Sequence, residues 1–94
     1  MSATITVTRA DERFAFDVSV SDAKRETRHR VTLSQGDFER LGAGVTAEEF
    51  IEAAFRFLLD REPKEAILSR FDVSVISRYF PEFEKEIHAY LLSG

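Results

Sequence analysis

The chain of 94 residues has no cysteine, which excludes disulfide bonds, thiolate metal sites and cysteine nucleophiles together. A disulfide-free domain of this size fits a reducing compartment. Tryptophan is also absent, and nine phenylalanines stand in its place, so the core is expected to be built of phenyl rings. Long apolar runs are missing. The longest unbroken stretches are a few residues, against the roughly 20 needed to cross a bilayer as a helix. The start, MSATITVTRADERF, lacks the basic opening and apolar run of a secretory signal. These absences lead to the expectation of a cytoplasmic protein with no membrane segment.

The motifs of common chemistries are missing as well. Gly42-Ala43-Gly44 lacks the later glycine of a phosphate-cradling loop and follows no buried parallel strand. No serine sits in a nucleophile-elbow context, and no Asp-rich loop has a calcium-binding pattern. Glu48 and Glu52 are spaced i, i+4, as are Glu82 and Glu86. Acids at helix starts complement the helix dipole, which explains them without a cation. Two histidines remain as near-neutral titrating groups. His29 stands at an inward position of an expected strand, where catalysis would need a polar pocket around it. His88 falls on the last expected helix beside Glu84. No metal or cofactor is expected, and no catalytic constellation is visible.

Hydrophobic residues make up 44% of the chain and charged ones 32%, the composition of a globular protein rather than a disordered one. A chain of this mass buries about 65% of its unfolded surface, enough for one core. The net charge of −4 is unevenly spread. Residues 1–33 carry six basic side chains against five acidic ones, whereas residues 34–94 carry seven against twelve. An acidic half of this kind repels phosphate and argues against nucleic acid as a partner.

Period-2 alternation dominates residues 1–33. Ile5 and Val7 alternate with threonines. Phe14, Phe16, Val18 and Val20 alternate with Ala15, Asp17 and Ser19, and His29, Val31 and Leu33 alternate with Arg28, Arg30 and Thr32. Polar turns at Ala10-Asp11-Glu12 and Ser21-Asp22-Ala23-Lys24 separate the runs, so consecutive strands are expected to pair antiparallel.

From residue 34 the period is helical. Ser34 is placed to cap a short helix through Phe38 and Leu41, with Gly42 or Gly44 ending it in a left-handed conformation. Thr46 with Glu49 forms a capping box, and Val45 with Phe50 has the spacing of a hydrophobic staple. The helix from Ala47 to about Arg61 carries an apolar stripe too wide for a surface helix, which marks it as the central one. Pro63 closes it. Lys64 to Arg70 reads as a short helix with Ala66, Ile67 and Leu68 inward. A further helix is expected from Val73 to Phe80 with Asp72 as its cap, and a last one begins at Pro81 with Phe83, Ile87, Tyr90 and Leu91 inward. The expected fold is therefore one α+β domain, residues 1–94: a three-stranded antiparallel β-meander over 1–33, followed by three to four α-helices over 34–94 packed on one sheet face.

Two resemblances bear on function. DVSVISRYF resembles the turn and second helix of a helix-turn-helix unit, which implies a DNA-binding regulator using residues 64–80 as the alternative function. The usual turn glycine is absent near Phe71-Asp72, the helix is rich in large apolar side chains, and its surroundings are acidic. The longer stretch FRFLLDREPKEAILSRFDVSVISRYFPEFE resembles a segment of short bacterial proteins of unassigned function, and implies no activity. The leading expectation is a protein–protein interaction module, binding a partner or a second copy. Its candidate surface comprises Tyr79, Phe80 and Phe83 around Pro81, and Arg28 and Arg30 on the polar sheet face. An unpaired edge strand is a second route to self-association.

Overall fold

The computed structural model describes residues 3–10, 14–42 and 44–93. Three strands open the chain: β1 (Thr4–Arg9), β2 (Ala15–Ser21) and β3 (Glu26–Thr32). They pair in sequence order and antiparallel, with Val7 opposite Val18 and Val18 opposite His29. From Phe16 onward alternation sorts their side chains as expected, whereas Ala15, expected outward, is buried and Phe14 lies before β2 with φ at +54°. Phe16, Val18, Val20, His29 and Val31 are buried on one face, while Thr4, Thr6, Thr8, Asp17, Arg28 and Arg30 are exposed on the other. The β2–β3 turn is an Asx turn, in which one Asp22 oxygen accepts from the backbone N–H of Lys24 and of Arg25 at 2.8 and 3.0 Å. The expected turn residues Asp11 and Glu12 lie outside the described residues.

Helices α1 (Gln35–Leu41) and α2 (Ala47–Leu59) follow. The Ser34 hydroxyl caps α1 by accepting from the Asp37 N–H. Gly44 supplies the left-handed turn after it, with φ at +84°, whereas Gly42 stays in the right-handed region. Gly42 is needed for space: a Cβ there would lie 2.5 Å from the Phe38 carbonyl oxygen. Thr46 and Glu49 form the reciprocal capping box on α2. From that start α2 buries Phe50, Ile51, Ala53, Ala54, Phe55, Phe57 and Leu58.

The sheet has a fourth strand, which corrects the three-stranded expectation. β4 (Arg70–Asp72) lies beside β3 and runs parallel to it, in the order β1-β2-β3-β4. Three residues are too few to show an alternating pattern, so the strand has no sequence signature of its own. It forms because β3 has an open edge: the Arg30 N–H donates to the Ser69 carbonyl at 2.8 Å, and the Val73 N–H to the Thr32 carbonyl at 2.9 Å. The intervening helices make a parallel return possible.

The expected helix over Lys64 to Arg70 is likewise replaced, by a single 3-10 turn at Lys64–Ala66. Extended backbone at Ile67 then carries the chain toward the β3 edge. Ile67 is buried, but Ala66 and Leu68 are exposed rather than inward. The short helix α3 (Ser74–Tyr79) and the last helix α4 (Phe83–Ser93) complete the fold. Asp72 belongs to β4 and still helps start α3, accepting from the Ser74 N–H at 3.0 Å.

α4 packs against α2 through one aromatic node. The Phe57 ring meets Phe83, Tyr90 and Phe80 edge-on at centroid distances of 5.0, 5.7 and 6.0 Å. The Arg61 guanidinium sits 3.7 Å from the centre of the Phe57 ring and bonds Glu82 and Glu86 of the α4 segment. Replacing Phe57 with Ala is expected to cost about 3–5 kcal/mol of stability. The drop is read as the shift in urea unfolding midpoint, and a loss under about 1 kcal/mol would remove Phe57 from this central role.

A second tie joins the β2–β3 turn to the helical half. Lys64 is only 7% exposed, and its ammonium lies 2.6 Å from Asp22 and 3.0 Å from Glu65. The hydrogen bond from Lys64, with the two backbone N–H groups of the turn, holds the Asp22 carboxyl well below the ordinary carboxylate range. A depressed folded pKa stabilises the fold above the unfolded value of about 4 and loses that contribution as pH falls below it. Asp22→Asn is therefore expected to shrink the fall in thermal midpoint between pH 5 and pH 2. An unchanged fall would show that the pair does not stabilise the fold.

Candidate functional site

Among the described residues three large apolar side chains are exposed: Leu92 near the end of α4 at 88%, and Leu68 and Tyr79 at 49% and 68%, which line the same groove. Its floor comes from Leu58 at the end of α2, Ile67 after the 3-10 turn and Ile76 of α3. Phe71 of β4, Val75 of α3 and Phe80 line the walls. The groove has a volume of about 500 Å³, within the range of sites that take a small ligand or the side chains of a peptide.

Each element that corrects the sequence reading contributes to this groove. β4 brings Phe71 to the sheet edge with its side chain on the helical side, in register with Val31. The extended chain at Ile67 turns Leu68 outward, and the Leu68 carbonyl is fixed by the His29 Nδ1–H at 2.8 Å. Because a carbonyl only accepts, Nδ1 carries a proton, and Nε2 lies 2.9 Å from the Thr27 hydroxyl, which can serve as donor or acceptor to it. His29 is buried against the Phe55 ring at 5.3 Å. Both ring nitrogens are engaged in holding the sheet to the loop.

One ionisable group, Glu62, lies in the apolar lining. It is partly buried, and its side chain has no hydrogen bond or ion pair among the described residues. The neighbouring cations are engaged elsewhere: Arg61 with Glu82 and Glu86, Lys64 with Asp22 and Glu65. Removal from water raises the Glu62 carboxyl above its ordinary value. The shifted carboxyls of Glu48, Glu65, Glu82 and Glu84 all move the other way, led in each case by a hydrogen bond from Arg or Lys.

The residues singled out in the sequence divide between two faces. Tyr79 and Phe80 belong to the groove. Phe83 does not, being fully buried between Phe50 and Phe57 at 6.4 and 5.0 Å. The α2–α4 contact consumes it, which corrects its placement on an exposed surface. Arg28 and Arg30 are exposed on the outer sheet face, as the alternation requires. Arg30 bonds Asp17 at 2.5 Å and Arg28 lies 3.6 Å from Glu26, so that face answers much of its own charge. Leu68, Phe71 and Glu62 were not singled out. Glu62 stands i+4 from Leu58, which was the one sequence signal linking it to this side of the chain.

Among the described residues no group of three or more His, Asp or Glu side chains is arranged to hold a metal ion, and no helix is long and apolar enough to cross a membrane. Comparison with protein-family models, curated proteins and solved structures finds no match to this chain.

The desolvated Glu62 charge carries a stability consequence. A raised folded pKa favours folding below the unfolded value of about 4, and this advantage is lost as pH rises through the folded value. Glu62→Gln is accordingly expected to raise the thermal midpoint at pH 7, with the gain disappearing below pH 4. A destabilised variant at pH 7 would show instead that the carboxylate is satisfied in the folded protein.

Proposed function

We propose that this protein is a protein-docking module with no catalytic role of its own, and that the groove between α3 and the end of α2 receives the partner. The observation that carries this reading is that Leu68 and Tyr79, both exposed, line one apolar groove. Isolated apolar side chains on a surface need no explanation, but contiguous ones mark interaction sites. Apolar grooves beside short helices take apolar anchors from a partner segment. A reducing, cytoplasmic setting suits a chain without cysteine.

The docking reading stands ahead of DNA binding for reasons of geometry and charge. Helix α3 has six residues and is preceded by a strand and a 3-10 turn, not by the first helix of a helix-turn-helix pair. Its Tyr79 and Val75 turn to an apolar groove that also holds a carboxylate, and no lysine or arginine lines it.

The test is affinity capture from lysate of the source cell, after nuclease treatment, by the native chain and by a Leu68→Ser, Tyr79→Ser double variant. Both positions are exposed, so the variant is expected to stay folded with a thermal midpoint close to that of the native chain. The expected result is a protein retained by the native chain and lost with the variant. Equal capture by both chains, or retention of nucleic acid alone before nuclease, would overturn the reading.

A further inference from the structure

The acid in the groove wall narrows the choice of partner, given that the groove is a docking site. A carboxylate lining an apolar groove loses hydration, and one without a partner gives no ion-pair energy in return. Glu62 is in this position because its sequence neighbours are directed away. Arg61 folds back over the Phe57 ring toward α4, and Lys64 reaches across to the β2–β3 turn. Among the described residues nothing answers this negative charge, which lies in a lining that includes Leu68, Phe71 and Tyr79.

We infer that the groove takes a segment of a partner protein that presents a lysine or arginine between large apolar side chains, with Glu62 as the counter-ion. The apolar neighbours fill the groove and exclude water, and in that drier setting the new ion pair is stronger than a surface pair. Acidic segments of equal hydrophobicity are rejected, since they would place two carboxylates together out of water. The chain itself offers poor copies of such a segment. Arg56 is flanked by Phe55 and Phe57, and Lys85 lies between Phe83 and Ile87, but all four apolar side chains are fully buried. Arg70 precedes Phe71, which is already part of the groove. A different protein is thus favoured over a second copy.

A linear random peptide library selected on the full-length chain tests this directly. The expected ligands carry Lys or Arg flanked by large apolar residues and are lost on Tyr79→Ser. Affinities are then compared for the best peptide and its Lys/Arg→Met version, each against the native chain and Glu62→Gln. Glu62→Gln is expected to weaken the cationic peptide about tenfold, the Met version to bind the native chain about tenfold less well, and the two losses not to add. Peptides that depend on Tyr79 but lack a cation and ignore Glu62→Gln would overturn the inference while leaving groove docking intact. No Tyr79-dependent peptide at all would remove both. Self-association through the groove, seen as a dimer in size-exclusion chromatography and lost on Tyr79→Ser, would assign it to a second copy and overturn the choice of partner.

Discussion

Helix α2 is apolar nearly all round, and the rest of the structure follows from the need to cover it. Phe50 and Phe57, seven residues apart, share one side of the axis and meet Phe83, whereas Phe55 points to the opposite side against His29 and Phe71, and all three are fully buried. A single sheet face cannot cover all three. The inner faces of β1 to β3 cover one side, and the other side requires α4, whose Phe83 and Ile87 are fully buried in turn. In a chain this short, such a helix leaves little apolar material for other uses. The large apolar side chains that remain accessible at Leu68 and Tyr79 are therefore notable, because the core had room for neither.

The segment from Pro63 to Phe80 has a different task from the rest of the helical half. It must return from the end of α2 to the open edge of β3 and back to the start of α4. It does so with minimal regular structure: one 3-10 turn, three residues of strand and a six-residue helix. The strand satisfies the backbone of the β3 edge, and His29 clamps the loop before it through the Leu68 carbonyl. A groove remains between this wandering segment and the end of α2 because the two are joined at their edges and not packed along their lengths. The same constraint shapes the site and exposes it.

Charge is distributed by the same geometry. The cations of the helical half are largely used to tie elements together: Arg61 to the α4 segment, Arg40 to Glu84, Lys64 to the turn after β2. The exposed Arg40–Glu84 pair contributes little by itself, whereas Lys64 is buried and Arg61 largely so; together these ties decide which carboxylates are answered. Among the described residues nothing answers Glu62, which lies in the apolar groove lining where burial raises its carboxyl. Arg28 and Arg30 illustrate the opposite case, since carboxylates on their own face already meet them.

Much of the architecture was legible in the chain alone. The alternation in residues 4–33 determined three strands, their order and which face is buried, because a period of two leaves one arrangement that hides Phe16, Val18 and Val31 together. Thr46 and Glu49 determined the start of α2, because a capping box acts within four residues. Ile67, Leu68 and Phe71 could not be placed that way. Their neighbours in sequence are compatible with a helix, and only the unsatisfied backbone edge of β3, nearly 40 residues earlier, makes them extended. Phe83 is inward by the helical period of α4 and also falls in the candidate surface around Pro81, and local pattern does not choose between the two: whether an aromatic side chain is core or surface depends on what packs over it, and Phe57 is distant in sequence. The groove and the isolation of Glu62 were decided by tertiary structure, because both depend on where other elements direct their edges and their cations. Local pattern determines which residues must be buried, whereas long-range pairing decides which are left exposed.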